Sequence, residues 1–151
     1  MSNTTLNNYK KTIEYLLTLK GVPQETLLIP IHADKWSVRE IIGHLFYWDK
    51  FILEQMVPKI CKEAKLPPFP DHDEYNTKAI NYITKFQTTS DLIDEFASTR
   101  ETLCNKIASV SPEFKFTIGK GKRQFTTDSF LKMFVKHDVH HLKQIQEFLK
   151  G

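Results

Sequence analysis

His137 and His141 stand four residues apart in a segment that also carries Phe130, Phe134, Ile145 and Phe148 in steps of three and four. In a helix, two imidazoles at that spacing leave the same face, about 6 Å apart along the axis. They can then share one metal ion. The apolar stripe around them turns the pair inward, away from water. A third histidine, His44, falls between Ile41 and Trp48 on the apolar side of another helical segment. Each part alone has a plainer reading as a hydrogen-bonded core histidine. Together they carry more, because burying three imidazoles without a common partner is costly. Bundles also build metal sites from side chains on facing helices. Three neutral imidazoles around one divalent cation satisfy all three, and such a site keeps coordination positions open for water or substrate. Imidazole suits zinc, nickel, copper or iron, with zinc or nickel the first expectation. A bound cation lowers the pKa of a coordinated water or thiol and so generates a nucleophile near neutral pH.

The surrounding residues supply further candidates. Gln144, one helical step after His141, and Asp138 are placed to orient imidazoles, with a solvated face as the plain alternative for both. Trp48 and Phe134 are expected to line a substrate pocket beside the metal. His140 points about 100° away from His141 around the axis and reads as lying at the bundle edge or a subunit interface. His32 and His72 fall in expected loops and read as surface residues. Asp49 and Glu54 read as solvent-facing, which leaves no carboxylate evident as a general base. Cys61 and Cys104 form no Cys-x-x-Cys motif and read as two reduced thiols.

These residues need helices to position them, and the pattern supplies four main ones. The first covers residues 5–20, with Leu6, Tyr9, Ile13, Leu16 and Leu17 on one face and Gly21 and Pro23 ending it. The second opens at Ser37, where Glu40 completes a Ser-x-x-Glu capping box, and Trp36 and Ile41 suit a hydrophobic staple. It carries His44, Trp48, Ile52 and Met56 and should end between Pro58 and Cys61. Residues 66–73, with three prolines, read as a crossover loop. A short extra helix is expected over residues 74–86, with Tyr75, Ala79 and Ile83 inward. Thr89, Ser90 and Asp91 offer a cap for the next long helix, which shows Leu92, Phe96, Leu103, Ile107 and Val110 and ends at Pro112. Residues 114–125 read as a small hairpin or an irregular loop. The last helix begins at Thr126 or Thr127, with Asp128 in its first turn, where the dipole favours an acid. The expected fold is all-α: a four-helix bundle with a long crossover loop, in a single domain over residues 1–151.

Composition agrees with a globular chain. There are 151 residues, 40% hydrophobic and 26% charged, with 11 Phe. That excludes disorder and low complexity. A net charge of +3 is too weak to argue for nucleic acid or an anionic membrane. The opening 20 residues lack the parts of a signal peptide, and no run approaches a membrane span. The expectation is a soluble cytoplasmic protein.

Trp36, Ser37 and Glu40 followed by His44 and Leu45 resemble the second-helix motif of the DinB-like (DinB/YfiT) superfamily. The segment from His137 through His141 to Gln144 resembles its last-helix motif, His-x-x-x-His-x-x-Gln. Tyr75 and Asn76 look like the aromatic-Asn element that follows its crossover. One departure is Lys143, which stands where a small residue, usually Gly, precedes the Gln. The resemblance implies a four-helix bundle, a homodimer, and a divalent metal held by His44, His137 and His141. It also implies thiol chemistry: a low-molecular-weight thiol such as bacillithiol, mycothiol or glutathione attacks an electrophile, or assists isomerisation of a small acid. The leading expectation is therefore a metal-dependent thiol S-transferase acting on small electrophiles. The alternatives are a metal-dependent hydrolase and a non-catalytic small-molecule or metal-binding protein.

Overall fold

The helices start where the side chains can satisfy their first amide groups. In this computed structural model, which describes residues 3–151, α1 spans Asn3–Thr18 and tightens into a 3-10 turn at Leu19–Gly21. A single turn, α2 (Gln24–Leu27), follows Pro23. The next helix, α3, spans Val38–Phe51. Its Ser37 hydroxyl accepts from the Glu40 amide at 3.1 Å, and the Glu40 carboxylate accepts from the Ser37 amide at 2.9 Å. The capping box is thus present as expected. Beyond Phe51 the chain runs through a π turn, Ile52–Met56, and a 3-10 turn, Val57–Lys59.

The short extra helix, α4 (His72–Tyr82), is capped by Asp71 and starts two residues earlier than the apolar pattern suggested. His72 is therefore its first helical residue, where a loop was expected. The long α5 spans Thr89–Ala108. Its cap is Thr88, whose hydroxyl accepts from the Asp91 amide at 3.0 Å; Thr89, Ser90 and Asp91, expected as the cap, form the first turn. The last helix, α6, spans Thr127–Lys150, with Thr126 capping and Ser129 reciprocating.

The bundle consists of α1, α3, α5 and α6. Helix α1 packs on α5 and α6, α3 packs on α5, and the direct meeting of α3 with α6 is the sparsest of the four. Helix α4 leans on α3. Gly43 gives room to the turn that follows α4, since a Cβ there would lie 2.6 Å from the Ile83 side chain. The two long connections are stitched together. Lys65–Leu66 (β1) pairs in parallel with Thr117–Ile118 (β2). Residues 114–125 do fold back on themselves, through one antiparallel bridge between Phe116 and Phe125. The parallel pairing to the crossover carried no local signal. Gly119, at φ +57°, turns the chain against Pro68; a side chain at that φ would be strained.

The apolar core falls into two clusters. One holds Tyr9, Ile52, Met56, Leu103, Ile107, Phe130 and Leu131. The other holds Leu16, Ile41, Leu45, Phe46, Leu92, Phe96 and Ile145. Helices α1, α5 and α6, and α3 together with the π turn that continues it, contribute to both clusters, and each carries a buried polar residue between its two contributions: Thr12, Asp49, Arg100 and Asp138. A polar layer therefore crosses the waist of the bundle. No helix among the described residues is long and apolar enough to cross a membrane.

Candidate metal centre

Helix α3 presents His44, and α6 presents His137 and His141, toward one another. His137 Nε2 lies 3.0 Å from His44 Nε2 and 3.1 Å from His141 Nε2. His44 and His141 are buried and His137 is half-buried. Three nitrogens bound to one zinc in tetrahedral geometry at 2.0–2.1 Å stand about 3.3–3.4 Å apart. The two observed separations fall a few tenths of an ångström short of that.

The hydrogen bonds behind the rings decide what the inner nitrogens offer. Trp48 Nε1–H can only donate, so the Asn76 atom it meets at 2.9 Å is the amide oxygen. That same oxygen lies 2.9 Å from His44 Nδ1, a contact that requires the proton on Nδ1. A neutral imidazole protonated at Nδ1 has a bare lone pair at Nε2. His141 repeats the arrangement, with Nδ1 2.9 Å from Gln144 Oε1. His137 Nε2 then faces two lone pairs with at most one proton. Among themselves the three rings leave one nitrogen unmatched, and a cation that takes all three lone pairs satisfies the set, so the donor set fits a divalent metal. Burial, reinforced by His141 and His137, pushes His44 down to about 3. Burial first, and then His141, pushes His137 down to about 4. Burial lowers His141 as well. All three are neutral at pH 7, as metal ligation requires.

A cavity of about 270 Å³ adjoins the triad. His44 and His137 form part of its lining, and Trp48, Phe69, Met133 and Phe134 supply apolar walls. No carboxylate, Lys or Arg is among the lining residues. His72, exposed to solvent, also borders it, with its ring 5.3 Å from Trp48. His141 and Gln144 instead border a separate groove with Asp34 and Lys35.

The sequence model of the DinB superfamily matches residues 9–145, a span that takes in all three imidazoles. The chain belongs to the DinB superfamily. No curated protein sequence matches it. Its fold is similar to that of YfiT from Bacillus subtilis, described as a probable metal-dependent hydrolase with an unusual four-helix bundle topology. That likeness has a TM-score of 0.66 at 15% identity and covers 99% of this chain and 89% of YfiT.

In this DinB-superfamily chain two acidic residues depart from the sequence reading. Asp138 makes no hydrogen bond to an imidazole and is not on a solvated face; it is 3% exposed, as is Asp49, which was expected in solvent. Both carboxylates are gripped by Arg100, a residue the pattern of apolar positions passed over. Arg100 Nε and Nη2 donate to Asp49 at 2.6 and 3.0 Å. Its Nη1 and Nη2 donate to Asp138 at 2.6 and 3.2 Å. Nη1 also donates to the Tyr9 carbonyl at 2.9 Å. Thr12 donates to Asp138 at 2.9 Å, and the Tyr9 hydroxyl to Asp49 at 3.2 Å. Burial pulls the guanidinium pKa down, but Asp49, Tyr9 and Asp138 more than reverse this, so Arg100 stays cationic. The remaining histidines are not part of the converging triad. His32 is exposed beyond α2, and His140 is exposed with its ring 5.1 Å from His141. Glu54 is exposed and pairs with Lys50 at 2.7 Å. Cys61 is exposed, while Cys104 is buried in the core and its thiol is pushed up to about 11 by burial.

Proposed function

We propose that this chain is a metal-dependent enzyme in which His44, His137 and His141 hold a divalent cation, zinc or nickel, and a small thiol is transferred to an uncharged electrophile. The observation that carries the reading is the convergence of three Nε2 atoms, two of them kept bare by amide partners, beside an apolar cavity. Bound there, such a cation supplies a Lewis acid that lowers the pKa of a coordinated thiol or water.

The chain's own residues do the rest. Asn76 and Gln144 accept from Nδ1–H of His44 and His141, which leaves each Nε2 bare and holds it turned inward. Trp48, Phe69, Met133 and Phe134 receive an uncharged, largely apolar partner and exclude water around it. Beyond the metal itself, no side chain lining the cavity offers a phosphate or a dicarboxylate a counter-charge. Neither cysteine borders it, so the attacking sulfur belongs to a co-substrate. Hydrolysis is the second reading. His72, at the solvent edge of the cavity, is the one lining imidazole outside the triad, placed to serve as a general base toward water.

The test has two stages. Elemental analysis of untagged protein reconstituted with zinc or nickel is expected to give about one metal per chain, lost in His141→Ala. The metal-loaded protein is then offered a model electrophile with and without a panel of thiols. Turnover that needs thiol supports transfer; turnover without thiol, abolished in His72→Ala, moves the assignment to hydrolysis. Protein that takes up no metal overturns both readings.

A further inference from the structure

Arg100 is the feature that the proposed chemistry does not use. It comes from α5, which supplies no imidazole, and it is 1% exposed. All five of its N–H donors are taken: two by Asp49, two by Asp138 and one by the Tyr9 carbonyl. Its guanidinium carbon lies 3.7 Å from the centre of the Tyr9 ring, so packing also restrains its plane. A guanidinium is rigid, and two-pronged pairing fixes each carboxylate in distance and direction.

The two carboxylates lie on the two helices that carry the imidazoles. Asp49 follows His44 by five residues on α3, and Asp138 lies between His137 and His141 on α6. These helices touch each other sparsely, so direct packing between them does little to fix their register. A slip of one residue would move a side chain about 1.5 Å along a helix and turn it by about 100°. Either displacement would break contacts of 3.0 and 3.1 Å between the imidazoles.

We infer that Arg100 is a positioning residue of the metal centre: by holding Asp49 and Asp138 in one planar fork, it sets the register in which His44 meets His137 and His141. The inference rests on reading the triad as a metal site, and the experiment separates the two.

Cobalt(II) serves as the probe, because its visible absorption reports the number and arrangement of ligands. Affinity is measured by chelator competition in the wild type, in Arg100→Met, in Arg100→Lys, and in a triple variant adding Asp49→Val and Asp138→Val. The triple variant leaves no stranded charge, so it keeps the fold testable if Arg100→Met does not fold. Circular dichroism and denaturant titration of the metal-free proteins establish the folded fraction. The expected result is one cobalt per wild-type chain. In the triple variant, affinity falls by about tenfold or more at full helicity, with an altered spectrum. Arg100→Lys, which keeps the charge without the fork, falls between the two. A folded triple variant with wild-type affinity and spectrum overturns the inference and leaves the metal site standing. A wild type that binds no cobalt overturns the metal reading and the inference with it.

Discussion

The imidazole triad and the Arg100 fork lie in the same bundle and join the same two helices, yet they use hydrogen-bonding capacity in opposite ways. Around Arg100 all five donors meet acceptors, and both carboxylates take further bonds from Tyr9 and Thr12. In the triad three like nitrogens converge, and the amides behind two of them keep those two bare. A buried polar group matched internally is part of the framework. A buried set of matched acceptors facing one another is shaped for something that arrives from outside.

Four measurements sharpen or break that contrast. The largest effect is expected at the fork. Arg100→Met strands two buried carboxylates and should cost about 3–5 kcal/mol of stability, read from denaturant midpoints. His137→Leu in metal-free protein should cost less than about 1.5 kcal/mol, because the lost group is a neutral, half-exposed imidazole. Equal costs would erase the distinction.

Acidification comes next. The folded pKa values of His44 and His137, about 3 and about 4, lie below that of a histidine in the unfolded chain. The unfolded chain therefore binds more protons as pH falls. Stability of the metal-free protein should be level above about pH 7 and decline below about 6.5, with His44 alone contributing roughly 2–3 kcal/mol of loss by about pH 4.5. Thermal melts across that range, repeated with His44→Leu to remove its share of the decline, check the assignment.

Asn76→Leu removes the partner that holds the His44 tautomer. It should weaken metal binding by about 10–100-fold while leaving the fork and the overall helicity intact. Gly43→Ala drives a methyl into Ile83, within 2.6 Å of its side chain. That should cost about 1–3 kcal/mol and displace the turn that ends α4, drawing Asn76 away from His44. Unchanged cobalt affinity in either variant would show that α4 does not support the site.

How much was legible in the sequence follows the same divide. The triad stood out because histidines on an apolar stripe violate the ordinary pattern, and the spacing of His137 and His141 is local. Ser37 with Glu40 was equally readable, since a capping box lies within four residues. Arg100, Asp49 and Asp138 were not, because charged residues on an amphipathic helix are ordinarily on its wet face. A signal did exist: Phe96, Arg100, Leu103 and Ile107 recur in steps of four, three and four, so Arg100 fills a gap in the apolar stripe. The β1–β2 pairing was illegible for a different reason. Two short segments some fifty residues apart carry no local mark of which partner they will take.

The fork also constrains how this chain can change over generations. Losing Arg100 strands two negative charges, and losing either aspartate alone breaks a saturated arrangement. The apolar alternative therefore requires several coordinated replacements, with poor intermediates between. Three of the four apolar cavity walls are under no such restriction: Phe69, Met133 and Phe134 are only half-buried and can be exchanged one at a time at modest cost. Descent is thereby channelled. The frame that aligns the histidines can change only as a block, while most of the apolar wall beside it can change one residue at a time.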